Sequence, residues 1–155
     1  MVAELKKDGT VELTIEREFS CTPKAIFEAW LQPEQLSQWW GPTDDFTVTK
    51  ISVNAVVGGE YYLRYNDSAG TVKDLKGIYK IIDRYTKLVF TWVMGVPSGG
   101  IPEETLVTLD FMPTVKGTKL TLCHQKFSTP ALRDRHNWGW NGTLDKLARY
   151  VSKAV

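Results

Sequence analysis

The residues of this chain equipped for more than packing are few: two histidines, two cysteines and two adjacent carboxylate pairs, Asp44-Asp45 and Glu103-Glu104. His124 sits in the alternating run Leu120, Leu122, His124, and His136 sits on a helical stripe between Leu132 and Trp140, so both imidazoles face the interior. Facing one bound molecule, the two could act as acid and base. Taken singly, an interior imidazole is more often a hydrogen-bonding core or cavity-wall group, and no catalytic residue is assigned. Two histidines on separate elements, with no i,i+4 partner and no third ligand, match no zinc pattern, so no metal site is assigned either. Cys123 neighbours His124 in a strand, where adjacent side chains face opposite sides, which rules out a direct thiol–imidazole dyad. Both carboxylate pairs fall in predicted loops and are expected to face solvent. The chain has no G-x-S-x-G elbow, no P-loop and no dinucleotide fingerprint, and no cofactor is expected.

The aromatic residues point elsewhere. Six Trp, six Tyr and six Phe make up 12% of the chain. Phe27, Trp30, Trp39, Trp40, Tyr61, Tyr79, Phe90, Trp92 and Trp140 are more large rings than a thin sheet-on-helix core needs, and with His124 and His136 they form the expected lining of a cavity. A dry, empty cavity of ~300 Å3 would cost about 7 kcal/mol on the known volume slope, so water or a ligand should fill it. Its expected mouth is the loop Met94 to Glu103 together with the tip Trp40-Gly41-Pro42.

The elements that position these groups can be read from periodicity. Val11, Leu13 and Ile15 alternate with Glu12, Thr14 and Glu16, the signature of a half-buried strand over Thr10 to Phe19. Thr22-Pro23 reads as an N-cap and first helical residue, followed by Ile26, Phe27, Trp30 and Leu31 at helical spacing. Pro33 closes that helix and opens a second, which Trp39-Trp40-Gly41-Pro42 ends. Six more strands are expected over Phe46 to Val53, Gly59 to Asn66, Val72 to Asp83, Lys87 to Met94, Thr105 to Met112 and Thr118 to Phe127. The last stretch, Pro130 to Val155, reads as one long helix whose stripe runs through Leu132, His136, Trp140, Leu144, Leu147 and Val151. Gly139 and Gly142 each cost that helix about 1 kcal/mol, which close approach of a neighbour would offset.

The fold class expected is therefore α+β: a curved antiparallel sheet of six to seven strands gripping a long C-terminal helix, with two short helices after the first strand. Residues 1–155 read as a single domain, without repeats or linkers. A net charge of +1 gives no field for nucleic acid, and no signal segment or membrane span is visible, which places the chain in the cytoplasm. Cys21 and Cys123 fit no C-x-x-C or zinc spacing and are expected to be buried, reduced thiols.

Several local signatures carry a resemblance. Pro33-Glu34 with Trp39-Trp40-Gly41-Pro42, Gly58-Gly59-Glu60-Tyr61, Gly77-Ile78-Tyr79, Leu88-Val89-Phe90-Thr91-Trp92, Gly117-Thr118-Lys119-Leu120-Thr121-Leu122 and His136-x-x-Gly139-Trp140-x-x-x-Leu144-x-x-Leu147 occur in the order found in homologues of the ATPase activator of the ninety-kilodalton heat-shock chaperone. The chain resembles that family from about Arg17 to Val151. The resemblance implies the START-like helix-grip fold, whose members hold lipids, sterols, polyketides and other hydrophobic molecules between sheet and C-terminal helix. It departs from the family in two respects: it lacks the extra chaperone-binding domain of the eukaryotic co-chaperones, and Asn54-Ala55-Val56-Val57-Gly58-Gly59 replaces a frequent Asp-x-Arg-x-Gly-Gly. Apolar Val56 in place of Arg suggests a more hydrophobic surrounding there. The reading that follows is a monomer or homodimer that binds a small hydrophobic or aromatic molecule. The alternatives are a polyketide cyclase/dehydratase-like enzyme and a chaperone ATPase-activating partner.

Overall fold

The computed structural model describes residues 11–95 and 103–153, and the backbone of residues 4–5. Residues 96–102 of the expected mouth loop lie outside the described residues. A two-residue strand β1 (Glu4–Leu5) precedes β2 (Val11–Phe19), followed by α1 (Pro23–Leu31), α2 (Pro33–Trp39), β3 (Thr47–Val53), β4 (Glu60–Asn66), β5 (Val72–Asp83), β6 (Lys87–Gly95), β7 (Glu103–Pro113), β8 (Thr118–Phe127) and α3 (Pro130–Lys153). The long strands number seven, as periodicity predicts; β1 is too short to carry a period. Glu103 and Glu104 open β7 instead of lying in a loop, and Glu103 accepts from both the backbone N–H and the hydroxyl of Ser128.

Local chemistry sets the helix ends. The Thr22 hydroxyl accepts from the Ala25 N–H at 3.2 Å with Pro23 at the first helical position, so α1 starts where the side-chain cap satisfies a free N–H. Gln32, in extended conformation, ends α1, and Pro33 begins α2 at once, giving the bent pair.

All pairings are antiparallel, in the order β1-β2-β8-β7-β6-β5-β4-β3. β2 therefore pairs with the last strand, and the α1–α2 insertion carries the chain from one side of the sheet to the other. Register shifts in β2, β3 and β5 bend the ladder locally. One face of this curved sheet is covered by α1, α2 and α3. The other faces water, so β4 alternates buried Tyr61, Leu63 and Tyr65 with exposed Glu60 and Arg64.

The stripe of α3 is buried at Trp140, Leu144, Leu147 and Val151, and half-buried at Leu132 and His136. The two glycines differ. A Cβ on Gly142 would collide with the backbone of Pro42, so α3 lies directly against the tip that follows α2, whereas a Cβ on Gly139 would meet nothing within 4 Å. The expectation that both draw the backbone close holds for Gly142 alone. Two further expectations are corrected. Val56 is 54% exposed, so no hydrophobic surrounding replaces the missing Arg, and Cys123 is only partly buried, its Sγ 3.2 Å from Glu12 Oε2.

The glycines give a paired test by chemical denaturation. Gly139→Ala should stabilise by about 0.5–1 kcal/mol through helix propensity. Gly142→Ala should destabilise by about 1–3 kcal/mol, because overpacking against Pro42 outweighs the same propensity gain.

Candidate functional site

The concave face holds a cavity walled by Tyr61 and Leu63 of β4, Leu75 and Tyr79 of β5, Phe90 and Trp92 of β6, Trp30 of α1, Leu36 of α2, and Trp40 just after it. Every one of these residues is buried, and none is charged. Period-two strands and helical spacing put them there: Tyr61 and Leu63, or Phe90 and Trp92, are two apart, and Trp30 and Leu36 lie on the inner sides of their helices. Atom-free space in and around it, open solvent included, amounts to ≈ 310 Å3, but only ≈ 20 Å3 is room for a water. The smaller figure measures what can be housed without motion, about one water. The closed interior is thus far fuller than the ~300 Å3 contemplated from sequence, and as a void it costs only about 0.5 kcal/mol.

Of the eleven residues expected to line a cavity, Trp30, Trp40, Tyr61, Tyr79, Phe90 and Trp92 line this one. Phe27, Trp39, His124, His136 and Trp140 do not. Phe27 packs on Phe111 and Tyr85, and Trp39 donates its indole N–H to Ala29 O at 3.1 Å. No residue of α3 forms the wall. The cavity lies between β4–β6 and the two short helices, and Trp140 stands behind it, its ring centroid 5.0 Å from Trp92, 5.9 Å from Trp30 and 6.5 Å from Trp40. Leu63 could have been found from the alternation with Tyr61 and Tyr65. Leu36 and Leu75 carry no signal that separates a wall residue from ordinary core.

Trp30 and Trp92 have a second peculiarity. Their indole Nε1 atoms are buried and have no hydrogen-bond partner among the described residues. The phenol of Tyr61, by contrast, donates to Thr91 O at 2.6 Å. Burial holds the Tyr61 phenol pKa well above its ordinary value, with Tyr79 beside it adding to the shift, and burial raises Tyr79 as well. The cavity wall is therefore neutral.

The two histidines meet beside this cavity, with ring centroids 5.1 Å apart. Trp140 Nε1–H donates to His124 Nδ1 at 3.0 Å, and Thr105 Oγ1 lies 2.7 Å from His124 Nε2 while donating to Trp92 O at 3.1 Å. The Thr105 proton is committed to Trp92 O, so His124 must carry its own proton on Nε2, a tautomer assigned by the network. Both ring nitrogens are used by the protein. His136 Nδ1 lies 3.0 Å from Leu132 O and donates to it; no partner of its Nε2 is found among the described residues. Among those residues, no group of three or more His, Cys, Asp or Glu could hold a metal ion, and no helix is long and apolar enough to cross a membrane.

Burial lowers both imidazole pKa values; the neighbouring His136 adds to the shift of His124, while Arg135 and Lys73 add to that of His136 against Leu132 O and Glu103. Protonating His124 would also set two donors face to face at Trp140. Below the ordinary imidazole value of 6.5 the unfolded chain takes up protons that the folded chain refuses, so stability is full above that pH and falls as pH drops toward the depressed folded values. Urea titrations between pH 7.5 and 5 should show stability falling below pH 6.5, at no more than about 1.4 kcal/mol per pH unit for each histidine and with His124 the larger contributor. A flat profile would mean that the two rings are solvated.

The chain matches the model of the family described as Activator of Hsp90 ATPase homolog 1-like protein over residues 20–152. Among solved structures, the AHSA1 protein of Silicibacter pomeroyi is similar at 26% identity, covering 93% of this chain and 99% of its own, with a TM-score of 0.81. The AHSA1-like protein of Aeromonas hydrophila is similar at 26% identity, 92% and 93% coverage and a TM-score of 0.72. A protein from Nitrosomonas europaea at 22% identity, 92% and 95% coverage and a TM-score of 0.76 shares the fold. No protein with a curated description matches the chain. The helix-grip arrangement and the extent of that match settle the family: the chain belongs to the Activator of Hsp90 ATPase homolog 1-like proteins.

Proposed function

We propose that the protein binds a small, mostly apolar molecule in the cavity between β4–β6 and the α1–α2 pair. The observation that carries this reading is the wall itself: nine buried, uncharged residues from three strands and the short-helix pair enclose residual space where a plain core would interlock.

The closed cavity takes no more than a water, so binding includes an opening. The strands are tied by backbone ladders, whereas the tip after α2 is held by side chains, with Ser68 bonded to Thr43 and Asp45. Lys146 Nζ donates to Trp40 O at 2.8 Å and to Thr43 O at 3.1 Å, and Arg149 pairs with exposed Asp44 at 3.2 Å. Trp40 is the wall residue attached to that tip, and its outward displacement joins the cavity to its mouth. The cyclase-like alternative is less well supported, because His124 has no nitrogen left to exchange a proton with a substrate.

Titration of the protein with flat hydrophobic compounds, read by Trp fluorescence and thermal shift, tests the proposal. A ligand at 100 times its Kd should add about 2.7 kcal/mol and raise Tm by roughly 5–10 °C. Leu75→Phe, a smaller enlargement that takes up the residual space from β5, should weaken the response while leaving the protein folded by circular dichroism. A panel without any response, or one unchanged in Leu75→Phe, would refute binding at this site.

A further inference from the structure

Four of the six tryptophans show how this chain treats a buried indole. Trp39 and Trp140 each donate to an acceptor, Ala29 O and His124 Nδ1, while Trp30 and Trp92, 4% and 5% exposed, have none among the described residues. The two unpaired donors are not scattered: both belong to the wall of the one cavity described above. A buried N–H without an acceptor is costly to keep, and replacing the ring by Phe or Leu would remove the cost, so these two positions favour an occupant that brings an acceptor.

We infer that the cavity is built for a neutral molecule carrying at least one hydrogen-bond acceptor, an aryl or cyclic ketone or amide being the simplest member of the class, with the Trp30 and Trp92 N–H groups as its donors. This rests on the reading that the cavity takes a ligand and narrows it to a chemical class. An aromatic box invites a second candidate, a quaternary ammonium seated on ring faces. The indole N–H groups argue against it, since a cation offers them no acceptor. An anion would accept from both donors, but no lysine or arginine lines the wall to balance a buried charge. A plain hydrocarbon would fill the space and leave both donors unpaired.

The test uses acetophenone and α-methylstyrene, which share one shape and differ in an oxygen against a CH2 group, with benzoate and phenyltrimethylammonium as the charged arms. Affinities come from fluorescence titration of the wild-type protein, and the six indole N–H resonances of 15N-tryptophan-labelled protein are followed in parallel. Trp30→Phe and Trp92→Phe assign two of those resonances. Acetophenone should bind about tenfold or more tightly than α-methylstyrene, and should move the Trp30 or Trp92 resonance downfield while α-methylstyrene does not. Equal affinity of the two, with the Trp30 and Trp92 resonances moving alike, would mean the donors are satisfied by neighbouring ring faces, and would overturn the inference while leaving ligand binding intact. Tighter binding of either ion than of acetophenone would overturn it in favour of that class. Silence from all four probes would remove the ligand-binding reading, and the inference with it.

Discussion

The hydrogen bond from Trp140 to His124 is the constraint on which the interior depends. It joins the middle of α3 to β8, and through Thr105 to β7 and the Trp92 carbonyl of β6, so one relay crosses three strands and the long helix. Its members are buried, and each polar atom in it has a fixed role, which makes it a case where breaking one link leaves a desolvated donor or acceptor behind. The relay also fixes the plane of Trp140. That ring contacts three of the wall indoles, so the back of the cavity is positioned by a hydrogen bond that lies outside its lining.

This accounts for the division of labour between the histidines and the aromatic wall. His124 is an acceptor for a helix indole before anything else, held neutral by burial and by the geometry of its partner. The wall indoles are different in kind. Two unpaired N–H groups cost about 1–3 kcal/mol each against a total stability of about 5–15 kcal/mol. A sequence free to fill this space with Leu and Phe would recover that amount, so retaining Trp at both positions is better explained by a role than by packing.

How far the sequence shows this depends on whether the signal is local. The cap at Thr22, the break at Pro33, the alternation in β2 and β4 and the turn after Asp83 are encoded within a few residues, and the elements lie where those signals put them. The cavity is not local. Its wall joins Trp30 and Leu36 to residues of β4, β5 and β6, and which strands the short helices cover depends on β2 crossing to pair with β8. Period alone put Trp140 and His136 on the inner stripe of α3 and could not show that α1 and α2 intervene at the cavity. Thr105 as the anchor of His124, and Lys146 as the anchor of the tip, rest on contacts 19 and more than 100 residues apart in sequence. Short-range patterns carry no trace of either.

The small volume of the closed cavity follows from the same energetics. An open space of ~300 Å3 left empty would cost about 7 kcal/mol, which is most of the stability of an ordinary domain, while the closed form costs about 0.5 kcal/mol. A protein that must persist without ligand is therefore expected to rest closed, and its apparent affinity is reduced by the fraction of molecules that are open. The C-terminal half of α3 anchors the tip that bounds the cavity. Gly142 lets the helix lie on Pro42, and Lys146, with its pKa lowered chiefly by desolvation, holds two carbonyls of the tip that carries Trp40. Leu144, Leu147 and Val151 keep that half of the helix seated, so the part of α3 farthest from the histidines is the part that holds the tip bearing Trp40.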